Sequence, residues 1–417
     1  MARELHFCGT RAPGVVGDVG SILSAATIRM QTGFALTTRT VLSVVVGAAA
    51  IAGCRPAEAP RFTPSSAAAA LDDEAADQEE RDLWHDLQQQ IAVELQQRCG
   101  SPLAPIVFGD PEADRTRLQL GAAVFTERCA QCHGVNGDGT GVAAEFLSPK
   151  PRDYTQGIFK FTSTPYGAKP RRSDILRTLQ RGVTGTSMPS FKDLSPEDLD
   201  AVADYVIYLS QRGELENNLV MMAVDDEELD PDYIDETVTE IRDRWNEAQS
   251  QLVMPVTPMP PMTAETIATG HELFLKRECN KCHGENGRGG SLGSVDVGND
   301  AWGHKAAAAD LTSGMFRGGG RPIDIYRRIY SGINGTPMPA FDKMFAEEPD
   351  DIWYLVQFIR DTGERRRRNL PPLEGAPKPT QNAPAPAEPA PVETPAESAA
   401  STSADTPMRA FFTPPRS

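Results

Sequence analysis

The chain has 417 residues, 40% of them hydrophobic and 7% aromatic, with a formal net charge of −17. This is length for two or three domains of ordinary globular composition, which excludes a multi-spanning membrane protein. The charge excludes a nucleic-acid binder, which needs a basic face against phosphates, and favours a soluble, self-repelling surface. The seven cysteines form no disulfide framework: four sit in two C-x-x-C-H clusters, at Cys129/Cys132 and Cys279/Cys282, and Cys8, Cys54 and Cys99 are isolated.

In chain order, residues 1–54 are expected to be an export signal. An apolar run at 41–53 follows Arg39. It is shorter than the roughly 20 residues that span a bilayer, and suits a signal-peptide core. Its end, Ile51-Ala52-Gly53-Cys54, resembles a bacterial lipoprotein lipobox. That implies a lipid on Cys54, export, and a place on the periplasmic face of a bacterial membrane. A translation start at Met30 would give this signal a conventional short basic end. Residues 55–71 are Pro/Ala/Ser-rich and predict a flexible tether. The segment 72–110 predicts a helix over 72–98, with Leu83, Leu87, Ile91 and Leu95 on one face and Gly100, Ser101 and Pro102 as the stop.

Two similar blocks follow, 111–213 and 263–363. Between them, 214–262 is acidic and then Pro/Met-rich, and predicts an ordered linker with a helix near 233–250 and a solvated acidic face. Residues 364–417 begin with four arginines at 365–368 and continue as a Pro/Ala-rich tail, too poor in apolar residues to offset ordering entropy.

The repeat carries the chemistry. Block one opens with Gly121 and Phe125 before Cys129-Ala-Gln-Cys132-His133; block two opens with Gly270 and Phe274 before Cys279-Asn-Lys-Cys282-His283. C-x-x-C-H is the attachment signature of c-type haem. Two thiols three apart on a helical turn each reach a vinyl group to form a thioether, and the adjacent His lies under the iron. In both blocks a Met-Pro-x-Phe motif follows, with Met188 and Met338 each 55 residues beyond the cluster's His. The spacing from His to Asp153 is 20 residues and to Asp310 is 27; from there to Asp174 and Asp324 it is 21 and 14; the last stretch to Met is 14 in both. Two loops have changed length in opposite directions around a constant Asp-to-Met segment, which reads as a helix feeding a ligand loop. A thioether opposite the imidazole is soft and raises the reduction potential relative to bis-His ligation. Helices predicted at 196–210 and 349–362 close the blocks, with Tyr205, Tyr208, Trp353, Tyr354 and Phe358 packing towards Phe125 and Phe274.

Both blocks resemble class I cytochrome c domains, over 121–209 and 270–360. The resemblance implies an all-α fold of two tandem domains with an extra N-terminal helix, an acidic linker and a disordered C-terminal tail. It implies two haem c groups: Cys129 and Cys132 attaching the first, with His133 and Met188 axial, and Cys279 and Cys282 the second, with His283 and Met338 axial. No catalytic residue is expected. The implied function is electron transfer between a membrane or periplasmic oxidoreductase and another carrier, as a shuttle or as a haem subunit of a respiratory complex. Redox partner proteins such as a respiratory membrane complex or a molybdenum oxidoreductase fit that role. The alternatives are a dihaem peroxidase-like enzyme, which needs one iron without a distal ligand, and zinc in the clusters. A Pro carbonyl usually meets the axial His: Pro149 or Pro151 is the expected acceptor in block one, and block two has no equivalent.

The remaining candidates are read more plainly. His85, His271 and His304 are weak alternatives as ligands, with His271 facing solvent and His304 nearest a propionate role. Lys160, Arg171, Arg172 and Arg317 are surface charges within reach of a propionate role. Met315 and Met344 are expected in the core, Cys99 as a buried thiol, and the arginines at 365–368 as a solvated helix end suited to an acidic partner.

Overall fold

The computed structural model describes residues 59–73, 75–289 and 295–373. The signal, Met30, Cys8, Cys54 and the tail from 374 lie outside the described residues. Among the described residues the fold is all-α apart from a two-residue-per-strand hairpin and one isolated bridge, Asn299 to Lys305. Helix α1 (Ser66–Ala69) and α2 (Gln78–Cys99) lead into that hairpin, β1 (Gly100–Ser101) and β2 (Ala104–Pro105). The first domain contains α3 (Thr116–Arg128), α4 (Ala130–His133), α5 (Arg172–Arg181) and α6 (Pro196–Asp226). After α7 (Pro231–Glu247) the second repeats the plan with α8 (Ala264–Lys276), α9 (Asn280–His283), α10 (Pro322–Tyr330) and α11 (Asp350–Arg367).

Each domain is organised by the crossing of its first and last long helices, and a glycine makes the crossing close. A Cβ added to Gly121 would lie 2.1 Å from the Ala201 carbonyl oxygen, and one on Gly270 would lie 2.0 Å from that of Tyr354. Beside these contacts Phe125 packs on Tyr205 with ring centroids 5.4 Å apart, and Phe274 on Phe358 at 5.2 Å. Burying such a ring stabilises by about 1.5–3 kcal/mol. The start of α6 follows from local chemistry: Ser195 caps it by accepting from the Asp198 N–H, Pro196 opens it, and Glu197 and Asp198 face the positive end of its dipole.

Two expected boundaries fall elsewhere. The flexible tether of 55–71 is, from residue 60 onwards, packed on the first domain. Asn136 exchanges hydrogen bonds with Thr63, and the Arg212 guanidinium stacks on Phe62 at 4.1 Å. Ser65 N–H also donates to Glu216, and Ala68 is buried in the domain's core, so a segment with the composition of a linker is held in place. The expected boundary after residue 213 lies inside α6, which continues to Asp226 before α7 folds back with Ile234, Val238, Ile241 and Trp245 buried. The acids there are not all solvated. Glu214 is buried against Lys169 at 2.5 Å and accepts from Trp245 Nε1 at 2.7 Å, and Glu216 is buried against Arg212 at 2.9 Å. The predicted stripe of α2 does face the domain, with Leu87, Ile91 and Leu95 buried. Tyr208 also serves this side, donating from its hydroxyl to the Cys99 carbonyl at 2.7 Å.

The domains meet along a polar seam. The Arg328 guanidinium on α10 donates to the carbonyls of Lys160 and Thr162, Lys160 pairs with Asp300 at 2.8 Å, and Arg181 reaches Asp324 at 3.5 Å.

Candidate redox centres

Each C-x-x-C-H cluster is a single helical turn. The His133 N–H donates to the Cys129 carbonyl at 2.9 Å and the His283 N–H to that of Cys279 at 3.0 Å. This brings the two thiols of each cluster to one side of the turn, as residues three apart must be. The glycine that follows, Gly134 or Gly284, has φ of 74° or 71° and ends the turn in a conformation L side chains rarely adopt.

The imidazoles are fixed in the same way in both domains. His133 Nδ1 lies 3.0 Å from the Arg152 carbonyl oxygen, and His283 Nδ1 lies 3.1 Å from that of Ala309. A carbonyl only accepts, so Nδ1 carries the proton and Nε2 keeps its lone pair for a metal. Burial also lowers both imidazole pKa values, favouring the neutral, ligating form. The acceptor in the first domain is therefore Arg152, one residue past Pro151, and the second domain makes the bond without any proline. The recurring element is the residue before an Asp-x-Thr turn: Asp153 Oδ1 accepts from Thr155, and Asp310 Oδ1 from Thr312, through backbone and hydroxyl alike. The surroundings differ. His133 is 7% exposed and stacks on Tyr154 with centroids 4.8 Å apart, whereas His283 is half-buried and Leu311 stands where Tyr154 would be.

The methionine loops are also stitched alike. Val183 N–H donates to the Met188 carbonyl and Ile333 N–H to that of Met338, both at 3.1 Å. Thr186 and Thr336 hydroxyls each donate to the carbonyl three residues back at 2.8 Å, and accept from the Met N–H. Gly182 and Gly332 have φ of 67° and 65°; a Cβ on them would lie 2.6 and 2.7 Å from the Met188 and Met338 carbonyl oxygens. Both methionines are half-buried. Met315 and Met344, expected in the core, are instead 56% and 44% exposed: Met315 lies in the loop that leads into α10, and Met344 in a single 3-10 turn, Lys343–Phe345, after the methionine loop.

The other candidates are placed as follows. His271, expected to face solvent, is buried and stacks on Phe358 at 4.9 Å, because the close helix crossing at Gly270 draws its neighbour inward. His85 and His304 are exposed. Arg172 is engaged by Asp200 and Asp204, and Arg171 donates to the Gln249 carbonyl. Arg317 is exposed. Cys99 is buried, and burial pushes its thiol up to about 12. The basic run is less free than expected: α11 extends through it to Arg367, and Arg365, Arg366 and Arg367 pair with Asp361, Asp310 and Glu364.

The residues fit a covalent haem. Among the described residues no three His, Cys, Asp or Glu side chains are gathered as ligands of one metal ion, and Cys129, Cys132, Cys279 and Cys282 are all unpaired thiols. Buried donor atoms with no protein partner, Trp302 Nε1 and Arg328 Nε, lie along the seam, the kind of group a haem carboxylate satisfies.

The cytochrome c family profile matches residues 118–210 and 267–363. The cbb3-type cytochrome c oxidase subunit FixP of Sinorhizobium medicae is 30% identical over 114 residues, which are 25% of this chain and 34% of that one. The chain thus spans about a third of the length of this curated relative. A chain of the reducing HAO-like protein complex Kustc0457/Kustc0458 of Kuenenia stuttgartiensis is 31% identical, over 58% of this chain and 96% of that one, with a TM-score of 0.46. The matched family segments contain both C-x-x-C-H turns and both methionine loops, and no helix among the described residues is long and apolar enough to cross a membrane. The chain belongs to the cytochrome c family as a dihaem c-type cytochrome, with one covalent haem c in each domain supporting haem-based electron transfer.

Proposed function

We propose that this cytochrome relays electrons between a membrane or periplasmic oxidoreductase and another carrier. In this reading His133 and Met188 ligate the first iron, and His283 and Met338 the second. The observation that carries it is the duplicated methionine loop, stitched by the same hydrogen bonds around Met188 and Met338. When bound, haem supplies a one-electron couple. The protein supplies a neutral imidazole oriented through Nδ1, a soft thioether, and helices that bury the centre. A peroxidase would need one distal face without such a loop, and both domains have it. Similarity to an oxidase subunit favours a haem subunit of a respiratory complex over a free shuttle. Export and a lipid on Cys54 complete the proposal, placing the protein on the periplasmic face of the membrane.

A redox titration with optical spectra tests the ligands. Met188→Ala and Met338→Ala should each lower the potential of one centre and remove its sulfur–iron absorption, leaving the other unchanged. If neither spectrum changes, the ligand assignment is wrong. Turnover of peroxide by the purified protein would replace the carrier reading with an enzymatic one, and a negative pyridine haemochrome assay would end the electron-carrier reading.

A further inference from the structure

The two methionine loops share their internal bonds but not their cover. Around Gly185 there is open space, with no atom within 4 Å of where a Cβ would stand. The corresponding Gly335, three residues before Met338, is capped by an indole: a Cβ there would lie 2.7 Å from both Cη2 and Cζ3 of Trp302, and 3.0 Å from Ile158 of the first domain. The Ala301 N–H donates to the Gly335 carbonyl at 2.9 Å, tying the same turn to the loop that carries the indole.

Trp302 is held from the first domain. The Arg152 guanidinium lies 3.6 Å from its ring centroid and the Lys160 ammonium 5.0 Å. Asp300 fixes the base of the loop, accepting from the Trp302 and His304 N–H groups through Oδ1 and from Lys160 through Oδ2. Arg152 is half-buried over the ring, and a partly desolvated cation over an aromatic face is held more strongly than an exposed one. The carbonyl of this same Arg152 holds His133.

We propose that Trp302 is a positioning residue for the second centre, clamped by Arg152 of the first domain onto Gly335 so that the Met338 loop stays closed. The inference rests on Met338 as the axial ligand. One domain thereby sets how often the other's thioether leaves, while the Met188 loop opens on its own terms.

Imidazole added to the ferric holoprotein reports opening, because it reaches the iron only after the methionine has left and its apparent affinity scales with the open fraction. Trp302→Leu should raise the affinity of one haem about tenfold and leave the other unchanged. Arg152→Ala, which keeps the backbone carbonyl for His133, should raise the same haem's affinity about fivefold, and Trp302→Phe should stay within about twofold of the parent. The potential of that haem should fall in step. Unchanged affinity in folded, haem-loaded Trp302→Leu, or equal changes at both haems, would overturn the clamp. If that variant fails to load haem, Arg152→Ala decides alone, an unchanged affinity counting against the proposal. Met338→Ala separates the two readings: it should bind imidazole without an opening step, and if it keeps its sulfur–iron absorption the ligand assignment fails instead.

Discussion

Asp324 sits at the third position of α10 with 2% of its side chain exposed, and it still holds a charge. Burial alone would raise its pKa, but hydrogen bonds from the Arg321 guanidinium and backbone outweigh that and bring it below the usual 3.8. A group with a depressed folded pKa adds stability above its unfolded pKa, and that stability is lost as pH falls through the folded value. Asp324→Asn should therefore cost about 1–2 kcal/mol at neutral pH and flatten the loss of stability below about pH 4, measured by denaturant titration at several pH values. The haem content at this scale was legible, since each C-x-x-C-H is contiguous in the chain. The acceptors of His133 and His283 were not, because a backbone carbonyl leaves no mark in a sequence. The equivalence of Asp153 and Asp310 was the available clue, and the residue before each proves to be the one that matters. His271 misleads for a related reason: its exposure depends on a helix packed across it, not on its neighbours in sequence.

Among elements, the crossings at Gly121 and Gly270 dominate. Glycine inside a helix costs about 1 kcal/mol relative to alanine, so replacing it would stabilise an isolated helix. Here the added methyl would meet a backbone carbonyl that cannot swing aside. Gly121→Ala or Gly270→Ala should destabilise its own domain by about 3 kcal/mol, read as a lowered denaturation midpoint of the holoprotein. The helices themselves were predictable from caps and apolar spacing, and the position of each glycine one turn before a Phe, repeated in both blocks, was visible. What lay beyond reach was where they end. The stretch from 214 reads as an acidic linker, yet Glu214 and Glu216 find Lys169, Trp245 and Arg212, and those pairings arise only from tertiary structure.

At the scale of the whole molecule, the seam makes the domains one unit rather than two beads. Arg328 crosses it to two carbonyls of the loop at 160–162. Arg328→Ala would strand those acceptors, and calorimetry should then resolve two unfolding transitions where a single one is expected for the parent. The duplication was legible in the sequence, but the seam was not, because its contacts join residues more than 100 positions apart. The anchoring of Thr63 to Asn136 has a further consequence for a lipid-bearing Cys54. Packing begins at residue 60, six residues after Cys54, a leash of about 20 Å at most. The first haem turn, three residues before Asn136, would then patrol only a thin shell above the bilayer. Lengthening that leash would free the cytochrome to meet distant acceptors at the expense of those embedded in the same membrane.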